Sequence, residues 1–288
     1  MKNVLVIGGG SIGQAISASF LPDVAIKVFD NNPAKSTVPS LEEGIVGANV
    51  IFVCVPSQGV KLVIDKIAQS GAQASVILLT KGLDEETGNF PYELLQLADV
   101  KKFGILYGPM IAQKILEKKH SFGLLASTDQ TVAQELKELF LDFIHIEYTP
   151  DIHSVAILGI LKNIYSLGAG MLQGLNVGEN VLGMYTVRVL QEMKIIIAEL
   201  KGDVAQAESV AGLGDFIATS TSEYSKNRET GNDLVKGELP PSTSEGLASL
   251  QLFCKKLATC PPLLNALNGI AQKTLTPDKL LDAVISYE

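Results

Sequence analysis

The hydrophobic rhythm of the chain changes once, near residue 150. Before that point short apolar runs recur: Val4–Ile7, Val24–Phe29, Val50–Val55, Ser75–Thr80 and Phe103–Tyr107. Helical spacing separates them, and each run ends in glycine, proline or a polar residue. Runs of this length without polar alternation are strands buried on both faces of a parallel sheet. Phe122–Ala126 and Phe143–Tyr148 are predicted as closing strands flanking a helix over Thr131–Phe140. From Ile152 onward no strand pattern recurs. Long helices are predicted over about 152–173 and 179–200, with shorter ones near 203–210, 214–222, 244–258, 261–272 and 277–285. Ser222–Ser244, with Gly231, Gly237 and Pro240-Pro241, reads as a loop. The pattern predicts an α/β Rossmann domain over 1–150, a mainly parallel doubly wound sheet, and an all-α domain over 151–288.

The first strand runs into Gly8-Gly-Gly-Ser-Ile-Gly13, and a helical pattern follows. Strand, glycine turn and helix in this order are the context that gives G-x-G-x-x-G its meaning. Gly8 permits the tight turn, Gly10 lets backbone approach a pyrophosphate, and Gly13 lets helix and strand pack closely. The helix start at Ser11 and Ile12 presents amides and positive dipole to that anion. Asp30 ends the second strand, where a carboxylate accepts from the ribose hydroxyls and repels a 2′-phosphate. NAD is therefore the expected cofactor. Asp30-Asn-Asn-Pro33 is also a turn sequence in its own right.

Ligands of open parallel sheets bind at the carboxyl ends of the strands. Those ends carry Pro56-Ser57, Lys81-Gly82 and Gly108-Pro109, so Pro56, Lys81 and Gly108 stand where a cofactor or substrate would be. In the second half, Lys162 lies within the apolar stretch Val155–Met171. A helix there is buried nearly all round, and a lone ammonium inside it is costly unless paired. Desolvation fits such a lysine for proton transfer near neutral pH. The alternative is a lysine that snorkels its head to water.

Composition narrows the function. A net charge of −8 argues against general nucleic-acid binding. No segment offers eighteen apolar residues free of charge, so no membrane span is expected. Cys54, Cys254 and Cys260 are too few and too scattered for a zinc site, and His120, His145 and His153 lack metal-ligand spacing. No metal is expected. Reduced thiols are the default, and the expected location is the cytoplasm.

One ordered series carries a resemblance. Lys81-Gly-Leu, Gly108-Pro, Gly159-Ile-Leu-Lys-Asn163, Gly178-Glu-Asn180, Arg188, Gly212-Leu-Gly-Asp215 with Thr219, Ser225-Lys-Asn-Arg228, Gly231 and Glu245-Gly246 resemble NAD-dependent glycerol-3-phosphate dehydrogenases. Family members usually have Gly-Pro-Ser with a Glu a few residues on, whereas Met110 and Lys114 stand there in this chain. The resemblance implies a Rossmann domain followed by a helical domain, and a small phosphorylated ketone or alcohol as substrate. It implies Lys162 as proton donor, with Lys81 as a second cation and Asp215 orienting Lys162. Asp215 is equally suited to cap a helix after Gly214. Arg228 and Asn227 are expected to hold the phosphate, with Asn163, Thr219 and Gly108 lining the substrate and Arg228 and Glu245 reaching the cofactor. Taken alone, Ser225–Arg228 is also a solvated polar loop. Two other readings stay open: a 3-hydroxyacid or 6-phosphogluconate type of dehydrogenase, and an NAD-binding paralogue without turnover. The first would place the Asn one helical turn beyond the Lys, whereas Asn163 adjoins Lys162. A homodimer is the expected assembly.

Overall fold

The structure is a computed structural model, and it describes residues 2–237 and 244–287. The chain forms two compact units, Met1–Ile152 and His153–Glu288.

The first unit alternates strand and helix: β1 (Asn3–Ile7), α1 (Ser11–Ala18), β2 (Ala25–Phe29), α2 (Leu41–Ile45), β3 (Val50–Val53), α3 (Ser57–Gln69), β4 (Ser75–Leu78), α4 (Pro91–Leu97) and β5 (Phe103–Tyr107). Then follow α5 (Ala112–Leu116), β6 (Ser121–Ala126), α6 (Gln130–Lys137) and β7 (Ile144–Thr149). The sheet order is β2-β1-β3-β4-β5-β6-β7. All neighbouring pairs are parallel except β5 with β6. The chain leaves β1 toward β2 and returns across it to β3, so the topology switches between β1 and β3. That is where an open α/β sheet leaves a crevice beyond its carboxyl ends. β1, β3, β4 and β5 are buried almost throughout, which is why they read as unbroken apolar runs. Phe20, Phe52 and Phe140 meet at centroid separations of 5.1–6.0 Å and join the turn after α1, β3 and the turn after α6.

The second unit is helical among the described residues. It contains α7 (Ile152–Gly174, which begins at the last residue of the first unit), α8 (Glu179–Glu199), α9 (Asp215–Thr221), α10 (Lys226–Lys236), α11 (Glu245–Cys254), α12 (Pro262–Ala271) and α13 (Asp278–Ile285). α7 is long and apolar enough to cross a membrane, yet its apolar window is wholly buried in the protein. Two sequence expectations are corrected here. Residues 203–214 form a 3-10 turn (Val204–Glu208) and a π turn (Val210–Gly214), because Asp203 and Ser209 cap each short piece and Gly212 has non-helical dihedrals. The loop expected over Ser222–Ser244 holds the helix α10, which Ser225 caps and Gly237 ends in the left-handed region. Pro240-Pro241 lies outside the described residues.

Candidate active site

The glycine loop is built as an anion cradle. Gly8 has φ +105°, and a Cβ there would stand 2.7 Å from the carbonyl oxygen of Cys54. A Cβ on Gly13 would stand 1.8 Å from the Gly8 carbonyl oxygen, so α1 can start this close to β1 only with glycine. At Gly10 a Cβ would meet nothing within 4 Å. That opening faces the start of α1, where Gly10 is the N-cap and no side chain caps the amides of Ser11 and Ile12. Donor amides around an open position fit a pyrophosphate.

Asp30 follows β2 as expected, and its carboxylate braces the loop. Oδ2 accepts from the Gly9 amide at 2.7 Å and Oδ1 from the Asn32 amide at 2.8 Å. Each oxygen keeps a second lone pair for a ribose hydroxyl. Pro56 begins the exposed corner between β3 and α3. Farther along the same edge of the sheet, Lys81 follows β4 and Gly108 follows β5, with φ +151° at Gly108.

The second unit gathers a separate set of groups. Lys162 and Asp215 are 8% and 2% exposed, so the ammonium is withheld from water rather than snorkelling. Lys162 Nζ donates to Thr219 Oγ1 at 2.9 Å and lies 3.3 Å from Asp215 Oδ1. Thr219 Oγ1 in turn donates to Asp215 Oδ1 at 3.2 Å, one turn along α9. The N-cap of α9 is Gly214, and Asp215 is its first residue. The carboxylate faces the lysine from the first turn of the helix. A buried ion pair of this kind is tolerated because hydrogen bonds complete it.

Asn163, beside Lys162, accepts from Asn227 Nδ2 at 2.9 Å, and Asn227 Oδ1 accepts from the Gly246 amide at 2.9 Å. One side chain thus ties α7, α10 and the start of α11, where Glu245 precedes Gly246. A Cβ on Gly246 would lie 2.5 Å from the Asn163 carbonyl oxygen, which explains the glycine after Glu245. Arg228 is turned to Gln173, donating to Oε1 at 2.8 Å, and its buried Nε meets no acceptor among the described residues.

Sequence reasoning passed over three residues that support these groups. Gln173 holds Arg228. Tyr107 lies under Lys81, with the ammonium 4.9 Å from the ring centroid. Glu192 is fully buried on α8 and accepts from Tyr165 Oη at 2.7 Å and from the amides of Leu263 and Leu264 at 2.6 and 3.1 Å. Burial pushes its carboxyl up to about 7, against the pull of those hydrogen bonds. Among the described residues no cluster of metal-ligating side chains occurs.

An open phosphate cradle at the switch point of a parallel sheet, followed by a helical unit that keeps an ammonium out of water, is the build of a dinucleotide-dependent dehydrogenase. Comparison with known proteins specifies which. The description "NAD-dependent glycerol-3-phosphate dehydrogenase N-terminus" matches residues 32–133, and its C-terminal counterpart matches residues 151–282. The chain belongs to the NAD-dependent glycerol-3-phosphate dehydrogenase family. A glycerol-3-phosphate dehydrogenase [NAD(P)+] of Alcanivorax borkumensis is 31% identical over 323 residues, covering 99% of this chain and 94% of the relative. Another from Acinetobacter baylyi is 30% identical, covering 82% and 73%. The fold is shared with a crystal structure of glycerol-3-phosphate dehydrogenase from Coxiella burnetii, with TM-score 0.88, 21% identity, and coverage of 99% and 98%.

Proposed function

We propose that this chain interconverts dihydroxyacetone phosphate and sn-glycerol 3-phosphate with NAD(H). The observation that carries the reading is the buried Lys162–Thr219–Asp215 group, in the region that matches the family's C-terminal part. The first unit holds the dinucleotide: Gly8, Gly10, Ser11, Ile12 and Gly13 at the pyrophosphate, Asp30 at the ribose, and Pro56 along the same edge. Hydride would be supplied or taken by the nucleotide when bound. Reduction of the ketone also requires a proton at the oxygen that becomes the alcohol. Lys162 donates that proton from Nζ. Asp215 favours the charged lysine before transfer, and the Thr219 hydroxyl fixes the direction of the ammonium by bonding both partners. In the reverse direction the neutral amine takes the proton from the alcohol.

The phosphate is assigned to Arg228 and Asn227, with Asn163 beside them. Arg228 presents a fork suited to two phosphate oxygens, and exchange of its Gln173 contact for phosphate supplies that fork. Glu245 and Arg228 are also assigned to the cofactor, and Lys81 and Gly108 to the substrate. All three cysteines are free thiols, which suits the cytoplasm. The assembly we favour is a homodimer.

Oxidation of NADH followed with a panel of phosphorylated ketones and non-phosphorylated keto acids tests the reading. Turnover is expected with dihydroxyacetone phosphate. Turnover confined to the non-phosphorylated substrates would sink the proposal, as would tight NADH binding without any turnover.

A further inference from the structure

Lys81 follows β4, and Tyr107 closes β5, the neighbouring strand. Tyr107 is 2% exposed, and its hydroxyl donates to the carbonyl of Thr80, the residue just before Lys81. The Thr80 hydroxyl donates in turn to the carbonyl of Val55 at 2.7 Å, beyond the end of β3. Three adjacent strands are thus laced together at their carboxyl ends, one residue short of Lys81. The lacing fixes the ring as well as the backbone, and the Lys81 ammonium stands 4.9 Å from the centroid of that ring. An aromatic face attracts a cation at this separation. A tyrosine that only filled the core would not need its face beneath a cation at the ligand-binding edge of the sheet.

We infer that Tyr107 is a positioning residue for the reaction: its ring face holds the Lys81 ammonium at the substrate edge, so that Lys81 need not be ordered when the substrate arrives. This rests on the reading of Lys81 as a substrate-contacting cation. Lysine carries a point charge on a flexible stem, and without a support it samples many rotamers. The Tyr107 hydroxyl serves the backbone and the ring face serves the lysine. The two contributions separate by substitution.

The experiment compares Tyr107→Phe, Tyr107→Leu, Lys81→Met and the Lys81→Met/Tyr107→Leu double variant in the full chain. The readouts are kcat/KM for dihydroxyacetone phosphate, NADH affinity by fluorescence, and thermal unfolding. Tyr107→Phe keeps the ring and is expected to keep kcat/KM while losing some thermal stability. Tyr107→Leu is expected to lower kcat/KM about tenfold, within the range of a partly desolvated cation–π contact. NADH affinity should not change. The double variant should be no worse than Lys81→Met, because the ring acts only through the lysine. Losses that multiply in the double variant would overturn the inference. So would wild-type activity in Tyr107→Leu beside an impaired Lys81→Met. Wild-type activity in Lys81→Met would instead remove Lys81 from the site, and the inference with it. If Tyr107→Leu does not fold, phenylalanines of increasing fluorination at position 107 decide the matter. They keep the shape and drain the negative face, so a stepwise fall in kcat/KM is expected and a flat series would overturn the inference.

Discussion

Glu192 shows how one residue ties a helical unit together and makes it sensitive to pH. Its carboxyl bonds Tyr165 on α7 and the first amides of α12, positions where the helix dipole and orphan donors favour an acceptor. Burial still dominates and raises the group from 4.5 to about 7. A carboxyl raised in the folded state binds its proton more tightly folded than unfolded. Its contribution is therefore fully present below about pH 4.5 and is lost as pH rises through 7. The shift corresponds to roughly 3 kcal/mol across that window. Glu192→Gln does not titrate, so the stability of the natural chain relative to this variant should fall between pH 4.5 and 7 and then level off. Denaturant unfolding at a series of pH values checks it, and a difference independent of pH would contradict the assignment. Asp30 makes a second residue-scale prediction, about cofactor choice. Asp30→Asn keeps an oxygen for the Gly9 amide and removes the charge, so NADH affinity should fall modestly while NADPH affinity rises. A natural chain that uses NADPH as readily as NADH would refute the role given to Asp30.

At the scale of elements, legibility followed burial. β1, β3, β4 and β5 are covered on both faces, so hydrophobic runs alone located them within a residue or two. α7 was legible for the same reason. α10 was not, because Lys-Asn-Arg-Glu-Thr-Gly-Asn-Asp-Leu-Val-Lys carries no apolar stripe. It packs through backbone instead. A Cβ on Gly231 would lie 2.0 Å from the Leu167 carbonyl oxygen, and one on Gly170 would lie 1.9 Å from that of Arg228. At these glycines α7 and α10 meet backbone to backbone, and polar side chains such as Asn227 and Arg228 complete the contact, so no apolar stripe marks it. The same approach sets Asn227 against Asn163. Gly231→Ala should therefore cost roughly 1–3 kcal/mol as an overpacked contact. It should also reduce turnover, through displaced Asn227 and Arg228, while NADH affinity holds. Gly183, in α8, is the opposite case: a Cβ there would meet nothing within 4 Å. Gly183→Ala should stabilise by roughly 0.5–1 kcal/mol. Thermal unfolding of the pair checks both signs, and a harmless Gly231→Ala would refute the close-packing account.

For the whole molecule, the candidate site residues stood out in the sequence wherever a short motif fixes a backbone. Gly8, Gly13 and Gly212 sit where close approaches demand glycine, and Lys162, Asn163 and Asp215 lie where burial demands partners. Their supports were hidden. Glu192 occupies what reads as an ordinary polar position in an amphipathic helix, and Tyr107 reads as one more apolar residue ending a strand. Neither signal separates a network from a surface or a core. Lys162 drew notice because a charge within an apolar helix has to be explained, and Asp215 and Thr219 supply the explanation at 3.3 and 2.9 Å.

That buried lysine is also where the account is most exposed to test. Lys162→Met keeps most of the side-chain length and removes the amine. Its single-turnover reduction of dihydroxyacetone phosphate by bound NADH measures the chemical step directly. The account predicts a folded protein with unchanged NADH affinity and a rate lower by roughly two to four orders of magnitude, the usual span for general acid–base catalysis. A folded Lys162→Met variant that binds NADH normally and reduces the ketone at near the natural rate would contradict it.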